Sequence, residues 1–231
     1  MSPNPRGCFV TGSDTGVGKT LVSRVLVRAL RAHGVDVGVL KPIETGVGTD
    51  GPADAIALRA AAGVRDSLDD ICPQQFALPA APTVAAAAEG RRIDLACVQR
   101  AFAQIAARHD FVVVEGAGGL LVPAAVCVTM ADLAGRLALP VIVVARAALG
   151  TINHTLLTLE AAAARGLEVL GVVISHADGE VSPADRANLG ALRDELGSRV
   201  LGEIPPLAVG AEPPLDAIDV SALLAELAQA E

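Results

Sequence analysis

The residues "FVTGSDTGVGKT", Phe9 to Thr20, carry an apolar run into a glycine-rich turn that closes on Lys19 and Thr20, after which a second apolar run begins. This is the order of a phosphate-binding loop. Successive backbone N–H groups and a helix N-terminus face the anion, a lysine reaches the outer phosphates, and a hydroxyl is placed for magnesium. The usual first glycine stands five positions before Gly18. Here that position is Ser13, and Gly12 lies one further back, so the match is a variant one. A glycine-rich turn with a surface lysine is the alternative, and the strand-like run before and the helical run after count against it. Thr15, Gly16, Val17, Gly18, Lys19 and Thr20 are therefore expected to bind a nucleotide.

Beyond the loop, Leu21, Val22, Val25, Leu26, Ala29 and Leu30 recur at helical spacing, with Ser23, Arg24, Arg28 and Arg31 on the other face. Short β-prone runs then alternate with helical ones. The runs are Val35 to Lys41, Phe111 to Glu115, Pro140 to Ala145, Val169 to Ser175 and Val200 to Pro205; the helices are expected near Ala53 to Ala62, Leu95 to Arg108, Asn153 to Arg165 and Pro183 to Leu196. The Ala-rich "ALPAAPTVAAAAEG" reads as a loop and short helix. Strands apolar on both faces and separated by helices predict an α/β fold, a parallel β-sheet covered by helices on both sides. With 52% hydrophobic residues and no long linker, residues 1–231 are expected to form a single domain.

The net charge of −8 argues against a broad nucleic-acid or anionic-membrane surface. Cys8, Cys72, Cys97 and Cys127 lie far apart without CxxC spacing, so neither a zinc site nor a disulfide framework is signalled, and a reducing cytoplasm is the expected setting. No apolar run is long enough to span a bilayer, and "MSPNPRGCFV" lacks the layout of a signal peptide.

Only two lysines occur, Lys19 and Lys41; every other basic residue is arginine. Both stand at the ends of predicted strands or their loops, where a parallel sheet binds its ligands, and a compact ammonium suits phosphate or a small carboxylate. Glu115 ends "FVVVE" and leads into Gly116, Ala117, Gly118 and Gly119; an acid at such a strand end holds magnesium, and the glycines let main chain approach a ligand. A strand-end carboxylate in a salt bridge is the plainer alternative. Asp54 opens a helix and needs no function beyond its first-turn position. Asn153 reads as a helix cap or as part of an anion site, and His154 as packing or surface.

Taken in order, "FVTGSDTGVGKT", "KPIETG", "DAIAL", "VEGAGGLLVP", "LGTINHTLLTLE" and "GEIPPLA" resemble the dethiobiotin synthetases, ATP-dependent enzymes of biotin biosynthesis with a P-loop NTPase-like fold. The resemblance implies a cytoplasmic homodimer that carbamylates 7,8-diaminopelargonate with CO2, phosphorylates the carbamate from ATP and closes the ureido ring. It implies Lys19 on the outer phosphates, Mg2+ on Thr20, Asp54 and Glu115, and Lys41 as the catalytic partner of Lys19, facing carbamate and phosphoryl group. Thr15, Lys41, Thr45, Gly118 and, from the other subunit, Leu149, Thr151 and Asn153 would meet the substrate. Ser175, His176, Pro205, Pro206 and Leu207 would border the base, where the family commonly has an asparagine in place of Ser175. A partitioning or maturation ATPase of the same branch is the competing expectation, and those proteins usually carry a lysine where this chain has Asp14.

Overall fold

The computed structural model describes residues 7–177, 179, 181–208 and 210–228. Residues 1–6, part of the N-terminal stretch read above, lie outside them. Along the chain run β1 (Gly7–Gly12), α1 (Lys19–Ala32), β2 (Val37–Leu40), β3 (Ile43–Thr45), α2 (Ala53–Ala62), α3 (Leu68–Ile71), β4 (Gln74–Phe76), α4 (Pro82–Ala88) and α5 (Leu95–Ala106). They are followed by β5 (Phe111–Gly119), β6 (Pro123–Ala125), β7 (Val128–Thr129), α6 (Met130–Arg136), β8 (Val141–Arg146), α7 (Thr151–Ala163), β9 (Val169–Ser175), α8 (Pro183–Leu196), β10 (Val200–Ile204) and α9 (Ser221–Ala228).

Six strands form one sheet in the order β10-β9-β8-β1-β5-β2, and every neighbouring pair is parallel. The predicted α/β architecture is the observed one. The strands are apolar on both faces because both faces are covered. Cys8 and Val10 pack with Val22 and Leu26 of α1, whereas Phe9 between them packs with Phe102 and Ile105 of α5. Alternation with a period of two sends successive side chains to opposite layers. Each such fully buried side chain contributes roughly 1.5–3 kcal/mol, so the two layers hold β1 in the middle of the sheet.

This placement builds the site. The chain leaves β1 toward β2 at one edge, and leaves β5 toward β8 on the other side of β1, so the winding reverses about the β1–β5 pair. Ligands of such sheets bind at that crevice, outside the carboxyl ends of the strands. The loop after β1, Lys41 after β2 and the second half of β5 all emerge there.

Two expectations are corrected. The strand begun at Phe111 does not stop at Glu115 but continues through Gly116 to Gly119, because Gly119 pairs with Gly12 of β1 and the ladder outweighs the turn tendency of glycine. The helix expected from Asn153 begins at Thr151 with Gly150 at its N-cap, φ 88°, so Asn153 is the third helical residue and not a cap. The helices predicted over Ala53–Ala62 and Pro183–Leu196 are found with those bounds.

At the far edge, Ser175 of β9 pairs with Ile204 of β10, and the two strands are tied by side chains next to that pair. Glu203 accepts from His176 Nε2 at 2.6 Å and from Arg193 of α8 at 2.7 and 2.9 Å. Burial pushes the Glu203 carboxyl upward, but the Arg193 and His176 bonds outweigh it and hold it below the usual carboxylate range. A depressed carboxyl contributes stability above its unfolded pKa and loses it as pH falls through the folded value. We expect Glu203→Gln to lower the melting temperature by about 2–4 °C at pH 7, for a half-exposed pair worth ~1 kcal/mol. The difference from the parent should shrink as pH falls below the ordinary glutamate value and through the lower folded one; a difference that stays constant into acid would remove the ionic contribution.

Candidate active site

The loop between β1 and α1 turns on two glycines in the left-handed region, Gly16 at φ 75° and Gly18 at φ 92°. Gly18 is the N-cap of α1 and no side chain caps the helix, so its first N–H groups are free to meet an anion. The displaced first glycine has a steric reason: a Cβ on Gly12 would lie 2.6 Å from the Asp14 carbonyl and 2.7 Å from Val17 Cγ2. Val17 itself is core, so only its main chain serves the loop. Arg146, at the end of β8, donates to the Thr15 carbonyl at 2.7 Å and braces the loop from the next strand. Lys19 Nζ curls back to the Asp14 carbonyl at 3.3 Å. Burial, with the nearby Lys41 charge adding to it, lowers the Lys19 ammonium to about 8.

Beside Lys19 lies a closed cluster of charge. Lys41 Nζ is 2.6 Å from Asp54 Oδ2 and 2.6 Å from Glu115 Oε1. Thr20 Oγ1 donates toward the same two carboxylates, at 2.8 Å to Asp54 and 2.9 Å to Glu115. Burial alone would drive the Lys41 ammonium toward its neutral form, but Glu115 and Asp54 more than reverse this, and its pKa is raised. Asp54 is held low: burial raises it and the Lys41 contact outweighs that. Glu115 is fully buried, and its Oε2 has no hydrogen-bond partner. Among the described residues that oxygen has no donor, and with the Thr20 hydroxyl and the Asp54 carboxylate, which meet at Thr20 Oγ1, it makes up an oxygen donor set suited to magnesium. Among the described residues no three His, Cys, Asp or Glu side chains cluster closely enough to hold an ion; an ion here would complete its shell with ligand oxygens and water, as magnesium commonly does.

Thr15, Gly16, Gly18, Lys19, Thr20, Lys41, Thr45, Asp54, Glu115, Ala117 and Gly118 all line one cavity of about 360 Å³. Gly116 reaches it through its carbonyl, 3.5 Å from Lys41 Nζ. The remaining predicted residues lie elsewhere. Ser175 is buried against Gly18, its hydroxyl without a partner, and His176 is turned toward Glu203. Pro205, Pro206 and Leu207 follow β10 at the same end of the sheet. Leu149 and Asn153 are exposed, and Thr151 is buried with an unpartnered hydroxyl; none of the three lines the cavity. Sequence reasoning assigns no individual role to Glu44, which does line it, or to Arg146. The signal available for Arg146 is its place directly after the predicted strand "PVIVVA".

A family model described as an AAA domain matches residues 6–213. The ATP-dependent dethiobiotin synthetase BioD of Anaeromyxobacter dehalogenans is 55% identical over 179 residues, covering 78% of this chain and 80% of the relative. That of Aromatoleum aromaticum is 42% identical over 213 residues, 90% of this chain and 94% of the relative. The chain belongs to the ATP-dependent dethiobiotin synthetase family. Solved structures agree on the fold: the MinC:MinD cell division complex of Aquifex aeolicus matches with a TM-score of 0.55 at 15% identity, over 87% of this chain and 82% of that one. The signal recognition particle receptor FtsY of Elizabethkingia anophelis matches with 0.54 at 17%, over 94% of this chain and 60% of that one.

In this member of the family the ammonium of Lys41 is the counter-charge of two carboxylates, and its removal leaves them without it. Breaking a buried pair at one partner destabilises by ~3 kcal/mol or more, which for a chain of this size lowers the melting temperature by about 6–12 °C. We expect that fall for Lys41→Ala, with at least half of it recovered in Lys41→Ala/Glu115→Gln. A single variant that melts within 2 °C of the parent would show that the cluster contributes no stability.

Proposed function

We propose that this chain uses ATP and CO2 to convert 7,8-diaminopelargonate to dethiobiotin, ADP and phosphate. The observation that carries the reading is the convergence of Lys19, Lys41, Thr20, Asp54 and Glu115 on one cavity at the N-terminus of α1. Family membership supplies the substrate class.

Charge neutralisation and orientation are most of what phosphoryl transfer asks of a protein. The free N–H groups of the loop and Lys19 bind the phosphates. Thr20, Asp54 and Glu115 would hold magnesium, which supplies positive charge against the phosphate oxygens. The Lys41 ammonium, released from Asp54 and Glu115, stabilises the carbamate and the phosphoryl group passing to its oxygen. Thr15, Thr45 and Gly118 position the diamine so that its second amine attacks the activated carbon and expels phosphate.

The substrate carboxylate is assigned to Leu149, Thr151 and Asn153 of a second copy. The exposure of Leu149 and Asn153 supports this, as do Leu121 and Leu157, exposed together in one cleft, which offer apolar surface to a homodimer. Ser175, His176 and Pro205 to Leu207 border the base. A cytoplasmic setting fits Cys72, Cys97 and Cys127 as thiols; among the described residues no helix is long and apolar enough to cross a membrane.

Phosphate release should require diaminopelargonate together with bicarbonate, whereas a switch ATPase would turn over ATP alone; release indifferent to the diamine would overturn the reading. Lys19→Ala and Lys41→Ala should each lower turnover by at least about a hundredfold, and only Lys19→Ala should lose nucleotide affinity. Equal loss of ATP binding in both would contradict the separate roles. In a further experiment, mixing Lys41→Ala with Asn153→Ala protein should restore activity through one intact composite site. Mixed dimers that form and stay inactive would refute sharing.

A further inference from the structure

Helix α2 begins without a cap of its own. Its N-cap is Pro52, which has no side-chain acceptor, and the N–H groups of Asp54 and Ala55 at the second and third helical positions are among those left unpaired within the helix. A serine or aspartate at the N-cap would ordinarily accept them. Both are instead taken by one remote side chain. Glu44, in the middle of β3, accepts from Asp54 N–H through Oε1 at 2.9 Å and from Ala55 N–H through Oε2 at 3.0 Å. Glu44 is 6% exposed, and none of the ion pairs formed among the described residues includes it.

The consequence falls on Asp54. Its main chain is gripped by Glu44 while its carboxylate bridges Thr20 and Lys41. The strand that carries Glu44 follows Lys41 by two residues and is paired with β4, so the grip is anchored to a sheet and not to a loop. We propose that Glu44 is a positioning residue: from a neighbouring strand it supplies the cap that α2 lacks, and so fixes the aim of the Asp54 carboxylate toward the metal. The inference rests on the reading of Asp54 as a magnesium ligand. A group that orients a ligand side chain without touching the metal typically changes metal affinity tenfold or more when removed.

The test uses the whole chain with ADP and follows Mn2+ binding by electron paramagnetic resonance, so that the readout is occupancy and not turnover. Glu44→Ala should weaken Mn2+ about tenfold and Glu44→Gln, which keeps the shape and one acceptor oxygen, about threefold. ADP affinity without metal should change less than twofold, and kcat at saturating metal should return to within about threefold of the parent. A purely structural defect would not be repaired by metal. The sharper variant is Pro52→Asp in the Glu44→Ala background, which places an acceptor at the helix's own N-cap and should recover most of the Mn2+ affinity. If Glu44→Ala binds Mn2+ within twofold of the parent, or the folded double variant recovers nothing, the positioning role is overturned. If the parent with ADP binds no Mn2+, the assignment of Asp54 falls and the role of Glu44 with it, an outcome distinct from the first two.

Discussion

A buried ammonium shared between a buried carboxylate and a partly exposed one is the constraint around which this end of the molecule is arranged. Charged groups withdrawn from water are stable only if each has its opposite within hydrogen-bond reach. Lys41 comes from the end of β2, Asp54 from α2 and Glu115 from β5, so the condition can be met only if edge strand, helix and central strand are held in register. The double layer of apolar side chains supplies that register. In return, the cluster leaves Glu115 Oε2 without a hydrogen-bond partner among the described residues, a buried oxygen that a cation would satisfy.

The arrangement separates the two lysines by environment. Lys41 is pinned as an ammonium by its acids, whereas Lys19 is desolvated and near another cation, with only the Asp14 carbonyl as hydrogen-bond partner among the described residues. One is therefore already matched and must be released to act; the other is unsatisfied until a phosphate arrives.

Much of this was legible in the sequence, for reasons that differ by residue. The loop could be read because glycines in left-handed conformations leave few substitutes, and Lys41 because it is one of two lysines in a chain whose other basic residues are arginines. Asp54 was ambiguous, since an acid in a first helical turn needs no other reason to be there. Glu44 was invisible: its partners are main-chain N–H groups on an element ten residues away, and β3 and β4 are three residues each, too short for periodicity to register. The start of α6 carried a signal that went unread, Thr129 followed three residues later by Asp132, which form a capping box. The β5 extension could not have been read locally, because it depends on pairing with β1.

The floor of the cavity is made of main chain. Gly16, Gly18 and Gly118 line it, and a Cβ on the neighbouring Gly116 would strike the Phe9 ring at 2.8 Å. What such a floor asks of a sequence is a handful of backbone conformations and clearances, not a set of functional side chains. Most other positions are then free to drift so long as the apolar layers remain filled. A fold can accordingly be held in common at 15% identity, and differences in chemistry between such chains reside in the few side chains that rise above the floor.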